Sequence, residues 1–138
     1  MLKRGGRVAI NSADGERPHQ SAGLVREAVI EEGLSDVHAA SGFGTNFRVS
    51  GAELDQLLRQ AGFADVRVQP HTFVDTLTGV DDLIAWSTSS SFGNFLSDLD
   101  AGQRARVRAR LERKLDALRT AQGIQLERHL VFASAKRP

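Results

Sequence analysis

The sequence of 138 residues contains no cysteine and no tyrosine, and it has one tryptophan and three prolines. Without cysteine the chain forms neither a disulfide nor a thiolate metal site, which is typical of proteins in a reducing cytosol. No apolar run approaches the roughly 20 residues that a membrane-spanning helix needs. The N-terminus also lacks the apolar stretch of a signal peptide. We therefore predict a soluble, cytoplasmic protein without a membrane partner.

The chain also lacks a surplus of charge of either sign. Eighteen basic residues are balanced by seventeen acidic ones, and the formal net charge is +1. Nucleic acids and anionic membranes are bound through a strong basic surplus, so we predict no nucleic-acid partner. The basic run from Arg104 to Lys114 is interrupted by Glu112 and falls on the polar side of an amphipathic pattern. This pattern favours a solvated helix face.

The patterns that are present alternate between strand and helix. A short apolar strand is expected at 7–11 after the turn at Gly5 and Gly6, a half-polar strand at 66–69, and a closing strand at 126–135. Pro70 predicts either a strand end or an edge position. Helices are expected over 22–32, over 50–61, from 78 to the serine- and threonine-rich run 87–91, and from 100 to 123.

The strongest local signal begins the helix at 50–61. Ser50 and Glu53 have the spacing of a capping box, and Val49 and Leu54 have that of a hydrophobic staple. Gly62 has the position of a glycine that ends a helix in the left-handed conformation.

Three segments together resemble one protein family. Residues 2–10, LKRGGRVAI, are similar to the L-K-P-G-G turn before the fifth strand of class I S-adenosylmethionine-dependent methyltransferases, with Arg4 in place of proline. Residues 50–66, SGAELDQLLRQAGFADV, are similar to the family's fifth helix, its AGF turn and its sixth strand. Residues 128–136, RHLVFASAK, are similar to its closing strand. Order and spacing match the C-terminal half of the family.

The resemblance implies an α/β fold. We expect an incomplete Rossmann-like methyltransferase fold with several helices and a three-stranded sheet. The strand order would be fifth, seventh, sixth, with the last strand antiparallel. A single C-terminal methyltransferase-like domain would span 1–138. Within it, 12–48 and 71–124 would form the lid and acceptor-pocket segments.

The same resemblance implies that the methyl donor and the acceptor are bound by different parts of the protein. In the family, a glycine-rich loop after the first strand and an acidic residue at the end of the second hold S-adenosylmethionine. Both elements would lie N-terminal to Met1. The expectation is a truncated transferase chain that supplies the acceptor-binding half of a small-molecule methyltransferase. It would not bind the cofactor alone, and it would act only with a complementary chain or as an oligomer.

The strand at 7–11 suggests how such a partner would attach. In the family the fifth strand also pairs with the fourth, which the resemblance would place N-terminal to Met1. An apolar strand with an open edge pairs readily with another chain. We expect a homodimer, or a complementary N-terminal half, to associate through 7–11.

Candidate site residues follow from the same placement. The aromatic residues of the two expected pocket segments are the candidates for binding the acceptor: Phe43, Phe47, Trp86, Phe92 and Phe95. His38 and His71 are the candidates for a catalytic base, since imidazole titrates near neutral pH. The four histidines have no metal-ligand spacing, so no metal site is expected. Residues 42–47, GFGTNF, fail as a cofactor loop because no predicted strand precedes them.

Two other readings remain open at this stage. The scaffold could serve as a non-enzymatic module that binds a small ligand or dimerises. A nucleic-acid accessory protein is the third reading, which the net charge disfavours.

Overall fold

The computed structural model describes residues 2–34, 48–89 and 96–138. In these ranges the chain is a mixed α/β structure with four helices and four strands. In chain order they are β1 (Arg7–Ala13), α1 (Gln20–Glu31), α2 (Gly51–Gln60), β2 (Ala64–Leu77), α3 (Val80–Ser89), α4 (Ala101–Asp116), β3 (Arg119–Thr120) and β4 (Gly123–Lys136). None of the described helices is both long and apolar enough to cross a membrane.

The last strand lies in the middle of the sheet. The order is β1–β4–β2, and β3 pairs with the start of β4. β1 is antiparallel to β4, in a register that runs from Arg7 opposite Lys136 to Ala13 opposite Leu130. β4 is therefore the strand with neighbours on both sides, as its apolar centre at 130–133 predicts.

The sheet has four strands, so the prediction of three was wrong. The fourth strand, β3, exists because α4 ends at Asp116 and does not continue to Gly123 as expected. Arg119 then pairs with Ile124, and Thr120 with Gly123, in a tight hairpin. Gly123 has a φ of +96°, a backbone conformation that glycine adopts without a Cβ penalty. The glycine thus closes a hairpin instead of ending a helix.

β2 is much longer than the predicted strand at 66–69. It covers 14 residues and continues through Pro70. Proline has no N–H to donate. β2 lies at the edge of the sheet and has one neighbouring strand, so proline is tolerated at positions whose N–H would face away from that neighbour. Of the two interpretations of Pro70, the edge position is confirmed and the strand end was wrong.

The chain divides into two compact units. The first unit consists of Met1–His19, Phe47–Phe73 and Arg128–Pro138, and the second of Gln20–Asn46 and Val74–Glu127. In the first unit, α2 packs on one face of the sheet. The buried residues of this core are Leu54, Leu58, Val131, Ala133 and Ala135.

The ends of α2 are formed as predicted. The Glu53 N–H donates to Ser50 Oγ at 3.1 Å, and the Ser50 N–H donates to Glu53 Oε2 at 2.7 Å, which completes the capping box. At the other end Gly62 has a φ of +82°. The Phe63 N–H donates to the Leu58 carbonyl at 3.1 Å, as in a Schellman motif.

The second unit is built around three helices and the start of β4. α4 buries one stripe against α1 and α3, and its arginines are exposed or half-buried. The side chains that are most completely buried in this core are Val25, Val29, Val107, Leu111, Leu115 and Ile124.

Candidate functional site

The sheet of the first unit has two faces of different character. Successive side chains of a strand project to opposite faces, so the face that packs on α2 takes every second residue of each strand. The other set is exposed or half-buried. We call this second surface the outer face; its residues include Arg7, Ala9, Asn11, Asp65, Arg67, Gln69, His71, Phe73, Arg128, Leu130, Phe132, Ser134 and Lys136.

A shallow depression of about 510 Å³ lies on the outer face. Its floor is the small Ala9 and Ser134, which stand opposite each other on β1 and β4. Its walls include Arg67, Gln69 and Phe132. Small residues in the centre and longer ones around them leave room for a flat group to approach the backbone of the sheet.

Three rings cluster beside this depression. The ring centroids of His71 and Phe73 are 4.4 Å apart, and Phe132 lies 6.3 Å from His71 and 6.2 Å from Phe73. All three contacts are edge-to-face, with interplanar angles between 60° and 77°. The guanidinium carbon of Arg128 lies 4.9 Å from the Phe73 centroid, a cation–π contact. Phe132 is nevertheless 38% exposed, so its ring is accessible from solvent.

His71, a candidate base, is part of this ring cluster. Its side chain is exposed and packs against Phe73. Within 2–34, 48–89 and 96–138, no carboxylate or hydroxyl is hydrogen-bonded to its ring nitrogens. The structure therefore gives His71 an aromatic environment and not the oriented partner that a general base commonly has.

Trp86, a candidate for the acceptor pocket, lies on α3 in the second unit and is 49% exposed. His71 belongs to the first unit. The remaining candidates lie outside the described residues: His38, Phe43, Phe47, Phe92 and Phe95.

The hydrogen-bond pattern of β1 shows which of its groups are free. The Asp14 N–H donates to the His129 carbonyl at 3.1 Å, and the Arg137 N–H donates to the Gly6 carbonyl at 2.8 Å. In an antiparallel pair such hydrogen-bonded residues alternate with residues that turn their N–H and C=O away from the neighbour. The even-numbered residues of β1 therefore bond to β4.

The odd-numbered residues of β1 direct their backbone groups to the outer edge of the sheet. Near the end of the strand, the Gly15 N–H donates to the Val49 carbonyl at 3.0 Å, next to an isolated parallel bridge. Among the described residues, Arg7, Ala9 and Asn11 have no strand beside them on this side. β1 thus presents a short free edge of three donors and three acceptors.

The turn after β1 is held by a buried carboxylate. Asp14 is buried, and its carboxylate accepts from the Glu16 N–H at 2.9 Å and from Arg17 Nε at 2.9 Å. Burial raises the pKa of Asp14, but these hydrogen bonds outweigh it and hold the pKa below its ordinary value. A Cβ on Gly15 would lie 2.9 Å from the Ser50 nitrogen, so this glycine admits the protein's own backbone.

The arginines of α4 are largely paired with acidic residues of the second unit. Lys114 Nζ lies 2.7 Å from Glu31, and Arg110 lies 2.9 Å from Glu32. Arg108 lies 2.7 Å from Asp81 on α3. The basic run therefore has structural partners.

Charge is distributed unequally between the two units. The first unit has ten basic and five acidic residues, and the second has eight and twelve. The whole-chain charge of +1 is thus the sum of a basic first unit, at +5, and an acidic second unit, at −4. The near-zero net charge of the whole chain thus conceals a first unit with a basic surplus.

The outer-face cluster was missed by the sequence reading. The signal was present, because Arg67, Gln69, His71 and Phe73 alternate along one strand. Because the predicted strand ends at residue 69, it contains Arg67 and Gln69 but not His71 and Phe73.

Comparison of the chain with protein-family models and with curated proteins returned no match. Function is therefore inferred from three features of the described residues: the outer face, the free edge of β1 and the exposed Trp86.

Proposed function

We propose that this chain is a methyltransferase-related protein that supplies the acceptor-binding half of an S-adenosylmethionine-dependent small-molecule methyltransferase. One observation carries the proposal: the last strand, β4, runs antiparallel to β1 and lies between β1 and β2. This is the order expected for the fifth, seventh and sixth strands of that family. The turns at Gly5 and Gly62, both with positive φ, support the same relation.

The part taken by this chain is the positioning of the acceptor. Methyl transfer depends on alignment of donor and acceptor, which holding the acceptor in an apolar pocket can provide. Trp86 is the described residue proposed to form a wall of this pocket, because its indole is half exposed on α3. Donor binding is assigned to a complementary segment or chain.

The free edge of β1 supports the way in which this complement attaches. Arg7, Ala9 and Asn11 offer backbone donors and acceptors to an incoming strand. Addition of a strand to such an edge gives affinity through main-chain hydrogen bonds. We propose that a second copy or a complementary half pairs here.

Calorimetric titration of the chain with S-adenosylmethionine and with its demethylated product tests the division of labour. We expect no binding heat from either ligand when the chain is alone. Stoichiometric binding at micromolar concentration would overturn the assignment of donor binding to a complement.

The acceptor side is tested through Trp86, because it is the single tryptophan of the sequence. Apolar and aromatic small molecules titrated into the chain should change its emission. Trp86→Phe gives the matched variant, and calorimetry on it shows whether the affinity falls with the indole. Ligands that bind equally well to both proteins would contradict the pocket assignment.

The second candidate function is a non-enzymatic module that binds a ligand or dimerises on the same scaffold. The free edge of β1 favours it as well, since strand pairing requires no chemistry. A hydrophobic ligand that co-purifies with the chain in the absence of S-adenosylmethionine would favour this alternative.

A further inference from the structure

We propose that the outer face of the first unit binds single-stranded nucleic acid. In this arrangement the rings of Phe132 and His71 contact bases, and the basic side chains at the Arg7–Lys136 end of the face contact phosphates. The inference is independent of the methyltransferase proposal, because it rests on a different surface and a different ligand.

The charges of the outer face support a polyanionic ligand. Arg7, Arg67 and Lys136 are exposed there, and within the described ranges none of them forms an ion pair. Arg7 lies directly opposite Lys136, and Arg67 lies four residues before His71 on β2, so the three cations form a row at one end of the outer face. Phe132 is four residues from Lys136 on β4, which is about 13 Å along the strand. A single strand that runs along the sheet could therefore place a base over Phe132 and contact these cations with a neighbouring phosphate.

Three of the five acidic residues of the first unit are engaged elsewhere. Asp14 is held by Arg17, Asp55 pairs with Arg59 at 2.7 Å, and Glu53 caps α2. Asp65 is exposed two residues before Arg67 on β2, so the outer face carries these three cations and one carboxylate near them.

The rings supply the second property of a single-strand site. Sheet faces that expose aromatic side chains bind single strands by stacking bases on them, since every base has a π-face. Phe132 is 38% exposed, and the His71 ring lies 6.3 Å from it. Arg128 lies over Phe73, 4.9 Å from the centroid of its ring.

The geometry also selects against duplexes. Neighbouring strands lie about 4.8 Å apart, so three strands give a face roughly 10 Å wide between β1 and β2. In a duplex the bases are stacked on one another and their faces are closed to protein rings. A ligand must expose its bases to use both the rings and the cations.

Fluorescence anisotropy with a labelled oligothymidine of about 12 nucleotides tests the proposal on the full chain. We expect binding at low salt that weakens as salt is raised. For single strands the logarithm of the affinity falls by about 0.7 per tenfold increase in salt for each phosphate contact. An unlabelled duplex of equal length should compete poorly.

Substitutions of two kinds separate the rings from the cations. Phe132→Ala should weaken binding at least about fivefold, the lower end of what removal of a stacked ring costs. His71→Ala removes an exposed ring and keeps the test valid if Phe132→Ala fails to fold. Arg67→Gln should lower the salt slope by about 0.7. Arg26→Gln makes the same charge change on α1 in the second unit, and it should leave the affinity and the slope unchanged.

Three results would overturn the proposal. The first is no binding of the oligonucleotide at low salt. The second is binding that Phe132→Ala and His71→Ala both leave unchanged although the variants are folded. The third is binding to anionic lipid vesicles or to the duplex as strong as binding to the single strand. None of these results bears on the calorimetric test of donor binding, so the two proposals can fail separately.

Discussion

The hydroxyl of Thr72 on β2 lies 2.9 Å from Nδ1 of His129 on β4. Both side chains are partly buried, and they lie on the sheet face opposite to His71 and Phe132. The His129 N–H also donates to Nδ1 of His19 at 3.1 Å. Two of the four histidines thus have structural roles in the first unit, while His71 lies on the outer face.

Removal of the Thr72 hydroxyl should destabilise the first unit. Thr72→Val keeps the shape but leaves His129 Nδ1 without this partner, and the expected loss in the free energy of unfolding is about 1–2 kcal/mol. Urea denaturation followed by circular dichroism measures it. Ser134→Ala, on the exposed side of β4, is the control and should change stability by less than about 0.5 kcal/mol. Equal effects of the two substitutions would contradict a structural Thr72–His129 bond.

Two glycines should respond to alanine with opposite signs. Gly15→Ala places a Cβ 2.9 Å from backbone atoms of Val49 and Ser50. Backbone atoms cannot move aside as the end of a flexible side chain can. We therefore expect the free energy of unfolding to fall by about 1–3 kcal/mol. Gly23 lies on α1 with nothing within 4 Å of its added Cβ. Gly23→Ala should therefore stabilise by about 0.5–1 kcal/mol. Thermal melts of both variants check the pair; stabilisation by Gly15→Ala would show that the 14–15 turn is not held against 49–50.

The capping box of α2 gives a prediction about pH. The Ser50 N–H, which donates to the Glu53 carboxylate, holds the pKa of Glu53 below its ordinary value. A lowered folded-state pKa means that the contribution to stability is present above the ordinary pKa of glutamate and is lost as pH falls through the lowered value. Urea midpoints measured between about pH 6 and pH 3 should decline less steeply in Glu53→Gln, since glutamine retains the cap without titrating. An identical pH dependence of the two proteins would show that Glu53 is not engaged.

The parts of the fold that could be predicted from the sequence are those set by local chemistry. Ser50, Glu53 and Gly62 determine both ends of α2 through contacts within a few residues, and both ends are confirmed. β2 was predicted too short because a strand can continue through Pro70 only at the edge of a sheet. The position of β2 at the edge is set by the tertiary structure and not by the residues around Pro70. β3 was missed for a related reason, since Gly123 suits a helix end and a hairpin equally well.

The candidate site was less predictable than the fold. The outer face is formed by residues 7–11, 67–73 and 128–136, and only strand pairing brings them together. Trp86 and His71 are described, but in separate units. The acceptor-pocket assignments to Phe43, Phe47, Phe92 and Phe95 stay predictions.

Both proposed functions include the pairing of a partner strand on β1. A proline substitution in β1, with a matched control elsewhere, tests this pairing. The N–H of Ala9 faces the free edge, so Ala9→Pro removes a donor that β4 does not use. Ala101→Pro is the matched control, because Ala101 is the first residue of α4 and its N–H has no partner within the helix. Circular dichroism should show both variants folded.

Sedimentation equilibrium of the wild-type chain, from micromolar to millimolar concentration, is the most direct measurement. We expect self-association in the wild type and in Ala101→Pro, and its loss in Ala9→Pro. A wild-type chain that remains strictly monomeric over this range, or an Ala9→Pro variant that associates as strongly as the wild type, would contradict the pairing of a second copy on β1.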